Sequence, residues 1–435
     1  MEPTAAPAGS SPELPDAFPL RVELQLHDHG PQRAVLEDVG RGKYYRLGPS
    51  EARFVAALME TASISAAYQQ SAQHSPDDRL TVENVERLCK WLAANGLTKA
   101  VAEAKPAPTP ARQNPLMAAF FWKIPLVNPD RWLAIVVHYL GWMFHPATIP
   151  LSLGCCLAGV LQMTGQWTDF LASYHNLFSS WRWLWLAVVW CVLKVLHEIA
   201  HGATCRRYGG QVNEAGLAMI LLMPIAYVNV TSSWRFPSRW QRLHVTLTGI
   251  AAELAVAGVA LFAWNLLDSL PLQQAAADVV LLASVSSLLF NLNPLLKFDG
   301  YFAIADATGV DNLYSYGQSY ARYFGGRYLL GLEMSPPKLP TSRPAWIRLY
   351  GLSAAVYRVF TVTGLIVAAA ALFEGAGIVF AIAGVCSFAL LPLIALLRYL
   401  YKLYAAGELQ AIRLVLRVSC LLLLLILPLW AIPAE

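Results

Sequence analysis

Apolar residues run almost unbroken through seven stretches, at about 133 to 163, 183 to 204, 244 to 266, 277 to 296, 346 to 372, 377 to 397 and 414 to 432. Most are near the ~20 residues a helix needs to cross a bilayer. The first is long and carries Pro146 and Pro150, so the pattern predicts either a kinked helix or two short pieces. A shorter run from Ala215 to Val230 contains Pro224 and is predicted to dip into the protein without crossing.

Residues 19 to 98 have another rhythm. Alternating and turn-bounded segments predict strands near 20 to 27, 32 to 38 and 42 to 47, then helices near 49 to 59, 63 to 71 and 81 to 95. Asp28-His29-Gly30 and Gly40-Arg41-Gly42 separate the strands, Pro49-Ser50 opens the first helix and Asn95-Gly96 closes the third, each the turn chemistry such a break requires. Residues 1 to 18 read as disordered and 99 to 117, rich in Ala and Pro, as a semi-rigid linker ahead of a transmembrane domain at 118 to 435. The expected fold is an α-helical polytopic membrane protein of about seven transmembrane helices with a small amino-terminal α+β, winged-helix-like domain.

Composition agrees with a membrane solvent: 56% of the 435 residues are apolar and 14% charged, and several of the 14 tryptophans sit at the ends of apolar runs. A formal charge of +4 gives no reason to expect nucleic acid. The basic residues are placed unevenly. Arg206-Arg207, the segment Arg235 to Arg242, the region Arg322 to Arg348 and Arg398 with Lys402 fall on one side of the membrane, while loops near 164 to 180, 267 to 276 and 373 to 376 hold almost none. By the positive-inside rule this predicts a cytosolic amino terminus and favours one net crossing in 133 to 163. No basic segment followed by an apolar core opens the chain, so no cleavable secretion signal is expected. The seven cysteines form no CxxC pair, which predicts neither a disulfide framework nor a thiolate metal site.

The chemistry lies in VLKVLHEIAHGA. His197 and His201, four apart on a predicted helix, share a face and can grip one metal ion. Glu198 stands beside them, where it can take a proton from water that such an ion acidifies. The plainer alternative satisfies the histidines with neighbouring carbonyls and pairs Glu198 with Lys194. A catalytic zinc usually has three protein ligands. The third candidate is Asp299 in FNLNPLLKFDGYF, at the same end of its span as the histidines are of theirs. Two histidines and a carboxylate can also hold iron or cobalt.

Together, HExxH and the later Asn291, Pro294, Asp299 and Gly300 resemble the site-2 protease class of intramembrane zinc metalloproteases, which pairs HExxH with NxxPxxxxDG. The resemblance covers about residues 183 to 305. It implies Zn2+ held by His197, His201 and Asp299, Glu198 as general base, and Asn291 with Pro294 positioning the substrate strand. Phe298 stands where the family commonly has Leu, and there is no room for the PDZ domain many relatives insert. Lys194 and Glu253 are candidates to steady the ligands from behind, and Tyr227 and Asn229 to line the substrate groove. The amino-terminal domain, around AVLEDVGRGKYYRLGPSEARFVAALME, resembles the PqqD-like fold that binds leader segments of ribosomally made peptides. That likeness implies a peptide adding as a strand beside Tyr44, Tyr45, Arg46 and Leu47.

The function expected is a membrane-embedded zinc metalloendopeptidase that processes a peptide or membrane-associated substrate captured by its amino-terminal domain, in the cytoplasmic membrane of a bacterium. Its expected partners are that substrate, membrane lipids and export or peptide-modifying proteins. The alternative is a non-proteolytic peptide-binding component of a maturation or export complex. A third idea, an ion transporter, lacks the intramembrane carboxylates a polar path requires.

Overall fold

A computed structural model describes residues 17–405 except 29–33, 74–79, 100–120, 175–176, 178–181, 221–222, 311, 340–343 and most of 373–389, together with Ser419. It is mostly helical and divides into two compact units, residues 1–287 and 288–435.

The first unit opens with the expected small domain. Strands β1 (Leu24–Asp28), β2 (Ala34–Asp38) and β3 (Lys43–Leu47) form an antiparallel sheet in the order β1-β2-β3. Helices α1 (Pro49–Thr61), α2 (Ile64–Gln73) and α3 (Val82–Ala94) follow. Pro49 enters α1 in its first turn, where no N–H is needed, and the Thr81 hydroxyl accepts from the Asn84 N–H to start α3. Leu24, Leu36, Leu47, Phe54, Leu58 and Leu92 are buried together as the domain's core. The linker expected at 99 to 117 lies almost wholly outside the described residues.

Strand β4 (Phe121–Val127) leads into α4 (Asp130–Leu140), continued by a 3-10 turn to Phe144, and α5 (Thr148–Gln162). The segment Asp130–Phe144 and α5 are bent by 58° at their junction, the break foreseen at Pro146. After α6 (Trp167–Ala172) comes α7 (Arg182–Arg207), which carries the HExxH residues. The run from Ala215 to Val230 is a hairpin of β5 (Ala215–Ile220) and β6 (Met223–Val228), to which β4 adds in the order β4-β5-β6. A 3-10 turn at Thr231–Arg235 leads to α8 (Arg239–Leu266), then α9 (Leu270–Ser284) and a π-helical segment, Val285–Asn291.

The second unit holds α10 (Asp299–Thr308), α11 (Leu313–Phe324), α12 (Pro344–Leu372) and α13 (Leu391–Ala405).

Among the described residues three helices are long and apolar enough to cross a membrane, Arg182–Arg207, Arg239–Leu266 and Leu270–Asn291, or four if the bent pair counts as one span. Of the seven stretches read from the sequence, 414 to 432 lies outside the described residues apart from Ser419, and 377 to 397 is described only in part, chiefly from residue 390 onward. Helix α7 turns apolar residues outward. Trp183, Val188, Val192 and Val195 are exposed while Lys194, His197 and His201 are buried, the reverse of a water-soluble helix and the arrangement an apolar solvent selects.

Candidate metal centre

Helical spacing puts His197 and His201 on one face of α7, 3% and 6% exposed, and packing against α8 fixes their rings. The carbonyl of Val245 can only accept, so the 2.6 Å contact makes His201 donate from Nδ1. The Nδ1 of His197 lies 3.2 Å from Glu253 Oε1, and an ionised carboxylate likewise only accepts. Both Nε2 atoms are thereby left with lone pairs. They face each other at 2.9 Å, an opposition that requires either an added proton or a shared cation. Two nitrogens on one tetrahedral zinc at ~2.0–2.1 Å stand ~3.3 Å apart, so a small opening of the pair accommodates the ion.

His197, His201 and Asp299 each offer a ligand atom, all within 4.8 Å of one another, and can hold a metal ion. Asp299 opens α10. The glycine after it is a steric necessity: a Cβ on Gly300 would meet the Leu292 carbonyl oxygen at 2.2 Å, so only glycine lets the helix start lie against the Leu292–Asn293 backbone. Gly249 on α8 does the same service for the histidines. A Cβ there would stand 2.5 Å from His201 Nε2 and 2.7 Å from His197 Nε2.

Glu253, 1% exposed, is the hub behind His197. Besides the His197 ring it accepts from Lys194 Nζ at 2.8 Å and, through Oε2, from the Ser287 hydroxyl. A buried carboxylate with a lysine, a hydroxyl and an imidazole N–H around it is satisfied, and it fixes the ring's tautomer as metal-ligating histidines ordinarily require. Lys194 therefore pairs with Glu253, and the alternative Lys194–Glu198 pairing does not occur. Glu198 turns to the hairpin, where its Oε2 accepts the Val228 N–H at 2.8 Å.

That bond identifies the outward side of β6. Val228 directs its N–H away from β5, and the next residue, Asn229, bonds back to Glu214 O at 2.9 Å. By the alternation of antiparallel strands, Ala226 and Pro224 also present their backbone outward, and Pro224, having no N–H, is at an edge position that tolerates it. Tyr227 points elsewhere: its hydroxyl donates to Glu214 and Lys123 Nζ lies 4.7 Å from its ring centre. Burial, and after it the hydrogen bond and negative charge of the Glu214 carboxylate, push the Tyr227 pKa up to about 12. Asn229 Oδ1 accepts from the Thr231 N–H and hydroxyl at 3.1 and 2.6 Å, a turn-forming role. Asn291 ends the π-helical segment, a helix form often found at functional positions, and Pro294 follows in the turn before Asp299.

The amino-terminal strand residues divide their work. Leu47 is core and Tyr45 meets Trp91 edge to face at 5.2 Å. Tyr44 donates to Glu37 at 2.9 Å, and burial with that carboxylate raises its pKa above the ordinary phenol range. Arg46 stacks on Trp234 at 4.5 Å, and Arg235 reaches Glu37 at 3.7 Å. The outer face of the sheet thus docks on the turn that follows β6, while the free edge of β3 stays unpaired by any other described strand.

Ser287, Gly249, the Val245 carbonyl and the β6 edge were missed by sequence reasoning. Only the Ser286-Ser287 pair, polar residues in an otherwise apolar run, gave a signal. No protein-family model, no curated protein and no solved structure matches the chain.

Proposed function

We propose that this protein is a membrane-embedded zinc endopeptidase, similar in mechanism to the site-2 proteases it resembles, which cuts a peptide held by its amino-terminal domain. The observation that carries the reading is the opposition of two imidazole lone pairs at 2.9 Å, with the Asp299 carboxylate in reach and Glu198 adjacent. The donor set, two neutral imidazoles and one carboxylate, suits zinc and leaves a position for substrate or water. When bound there, zinc supplies Lewis-acid polarisation of the scissile carbonyl and brings the pKa of water near ~7.

The chain's own groups do the rest. Glu198 takes the proton of the attacking water and returns it to the leaving amine nitrogen, and the Val228 N–H holds its carboxylate in one orientation for both transfers. The substrate lies extended along the outer edge of β6, pairing with the Ala226 backbone, which brings a peptide carbonyl beside Glu198. Glu253, with Lys194 and Ser287, keeps His197 presenting Nε2. Asn291, as the family resemblance implies, steadies the substrate strand. On this reading the likeness to PqqD-like domains assigns the β3 edge to leader capture, and the uneven arginines support a cytosolic side for that domain.

The test is co-expression of the chain, wild type and Glu198→Gln, with small peptides encoded beside its gene, followed by comparison of product masses. Shortened products are expected from the wild type alone. Cleavage at the normal rate by Glu198→Gln would rule the mechanism out in favour of a non-proteolytic peptide-binding role.

A further inference from the structure

The second unit holds a feature the peptidase reading does not use. Between helices α11 and α12 lies a half-open cavity of about 260 Å³, lined by Tyr314, Gln318 and Arg322 from α11 and by Gly351, Ala354 and Arg358 from α12. The helix backbones touch beside it: a Cβ on Gly351 would stand 2.3 Å from the Gly317 carbonyl oxygen. Backbone contact thus fixes the spacing of the two helices beside the cavity.

Among the described residues, no carboxylate lies against its cations. Arg358 donates to the Tyr314 hydroxyl at 2.5 Å and lies 5.2 Å from that ring's centre, and Lys297 Nζ approaches the same ring at 4.2 Å. Arg348 lies 5.6 Å over Tyr320, and Arg322 lines the opening. None of these four cations forms an ion pair with a carboxylate among the described residues, and the cavity lining contains no acid. A guanidinium cannot shed its charge, and the side chains lining the cavity offer Arg358 a hydroxyl but no carboxylate. On α12 Leu349, Val356, Val359 and Phe360 are 57–72% exposed, a wall suited to hydrocarbon.

We infer that this cavity binds the phosphate of an anionic phospholipid, with Arg322, Arg358 and Gln318 holding the headgroup and the exposed apolar wall of α12 taking the acyl chains. Planar guanidinium forks match phosphate oxygens two at a time, and basic pockets between membrane helices are where such headgroups lodge. A cavity below the ~300 Å³ of common small-molecule sites fits a headgroup with its tails outside. The inference is independent of the metal centre.

Native mass spectrometry of the full chain, released from detergent with phosphatidylglycerol or phosphatidylcholine of the same acyl chains, reads it directly. One phosphatidylglycerol should be retained at least ~10-fold over phosphatidylcholine, and Arg322→Gln and Arg358→Gln should each lower retention roughly tenfold, the usual effect of removing a charge-assisted hydrogen bond. Arg239→Gln, which removes a cation stacked on Trp240 elsewhere, should change nothing. Because Arg322 is exposed, its variant tests the site even if Arg358→Gln fails to fold. Equal retention of the two lipids, or phosphatidylglycerol held unchanged by Arg322→Gln, overturns the inference. Displacement of the lipid by equimolar inorganic phosphate would make the site one for free phosphate, and tighter binding of an acidic peptide would make it a protein-docking site. Either result overturns the lipid assignment.

Discussion

Among the described residues the chain forms two three-stranded antiparallel sheets, and they are built for opposite ends. The first, β1-β2-β3, has its own core, with Leu36 fully buried and Leu24 and Leu47 beside it. The second, β4-β5-β6, carries exposed apolar side chains, Trp122 at 45%, Leu126 at 58% and Val127 at 61%, and donates from its edge to Glu198. One has a core of its own and an outer face that meets the turn after β6. The other lies among the helices and sets a backbone N–H on Glu198. If that contrast is right, changes in the second sheet's neighbourhood should abolish turnover, and changes in the first should alter only how substrate arrives.

The largest effect is expected from Glu198→Gln, which keeps shape and removes the base. Cleavage should fall ~10²–10⁴-fold while the purified protein retains its metal, measured by elemental analysis. Glu253→Gln comes next. It loosens the His197 ring and leaves Lys194 facing a neutral amide, so metal affinity against a competing chelator should drop ~10–100-fold. The matching change in the first sheet, Leu36→Ala, should cost its domain ~2–5 kcal/mol and leave metal affinity unaltered. Metal loss in that variant would break the contrast between the sheets.

A smaller effect separates edge from interior within β6. Ala226→Pro removes an outward N–H and leaves the pairing with β5 whole, so the chain should fold and retain metal while cleavage falls roughly tenfold, the worth of one substrate backbone hydrogen bond in an enclosed site. Ile225→Pro removes a donor that faces β5 and should instead prevent normal folding. Equal activity of Ala226→Pro and wild type would show that substrate does not add to this edge.

The two sheets also differ in how far the sequence revealed them. The first was legible almost residue by residue, because Gly40 to Gly42 and Pro49 mark its turns and each strand pairs with the next. The second was not. Its first strand pairs across ninety-five residues, Lys123 opposite Ala218, and its hairpin is apolar on both faces, so the two-residue alternation that betrays a strand is missing and the run reads as a dipping segment. In the metal group, His197 and His201 followed from helical spacing, and Asp299 from a motif whose Gly300 proves to be demanded by a backbone approach. The partners of Glu253 and His201 were hidden because they come from neighbouring helices, Ser287 thirty-four residues on and the Val245 carbonyl, which carries no side-chain signature at all.

The smallest effect sharpens the comparison where the two sheets are joined. Arg46 stacks on Trp234 and Arg235 faces Glu37, and the 3-10 turn carrying both partners lies just after β6 in the chain. If this docking holds the captured peptide at a fixed offset from Glu198, loosening it should slow delivery without touching chemistry. A partly exposed cation–π contact and a long ion pair are each worth on the order of 0.5–1 kcal/mol. Arg46→Gln and Arg235→Gln should therefore lower kcat/KM for a peptide bearing its recognition segment by ~2–5-fold each. Their combination should lower it further than either change alone. The same variants should cut a short peptide lacking that segment at the wild-type rate, because such a substrate reaches β6 without the first sheet. A double variant that processes both peptides normally would mean the interface only packs the domains together, and the first sheet would lose its place in delivery while the metal centre kept its own.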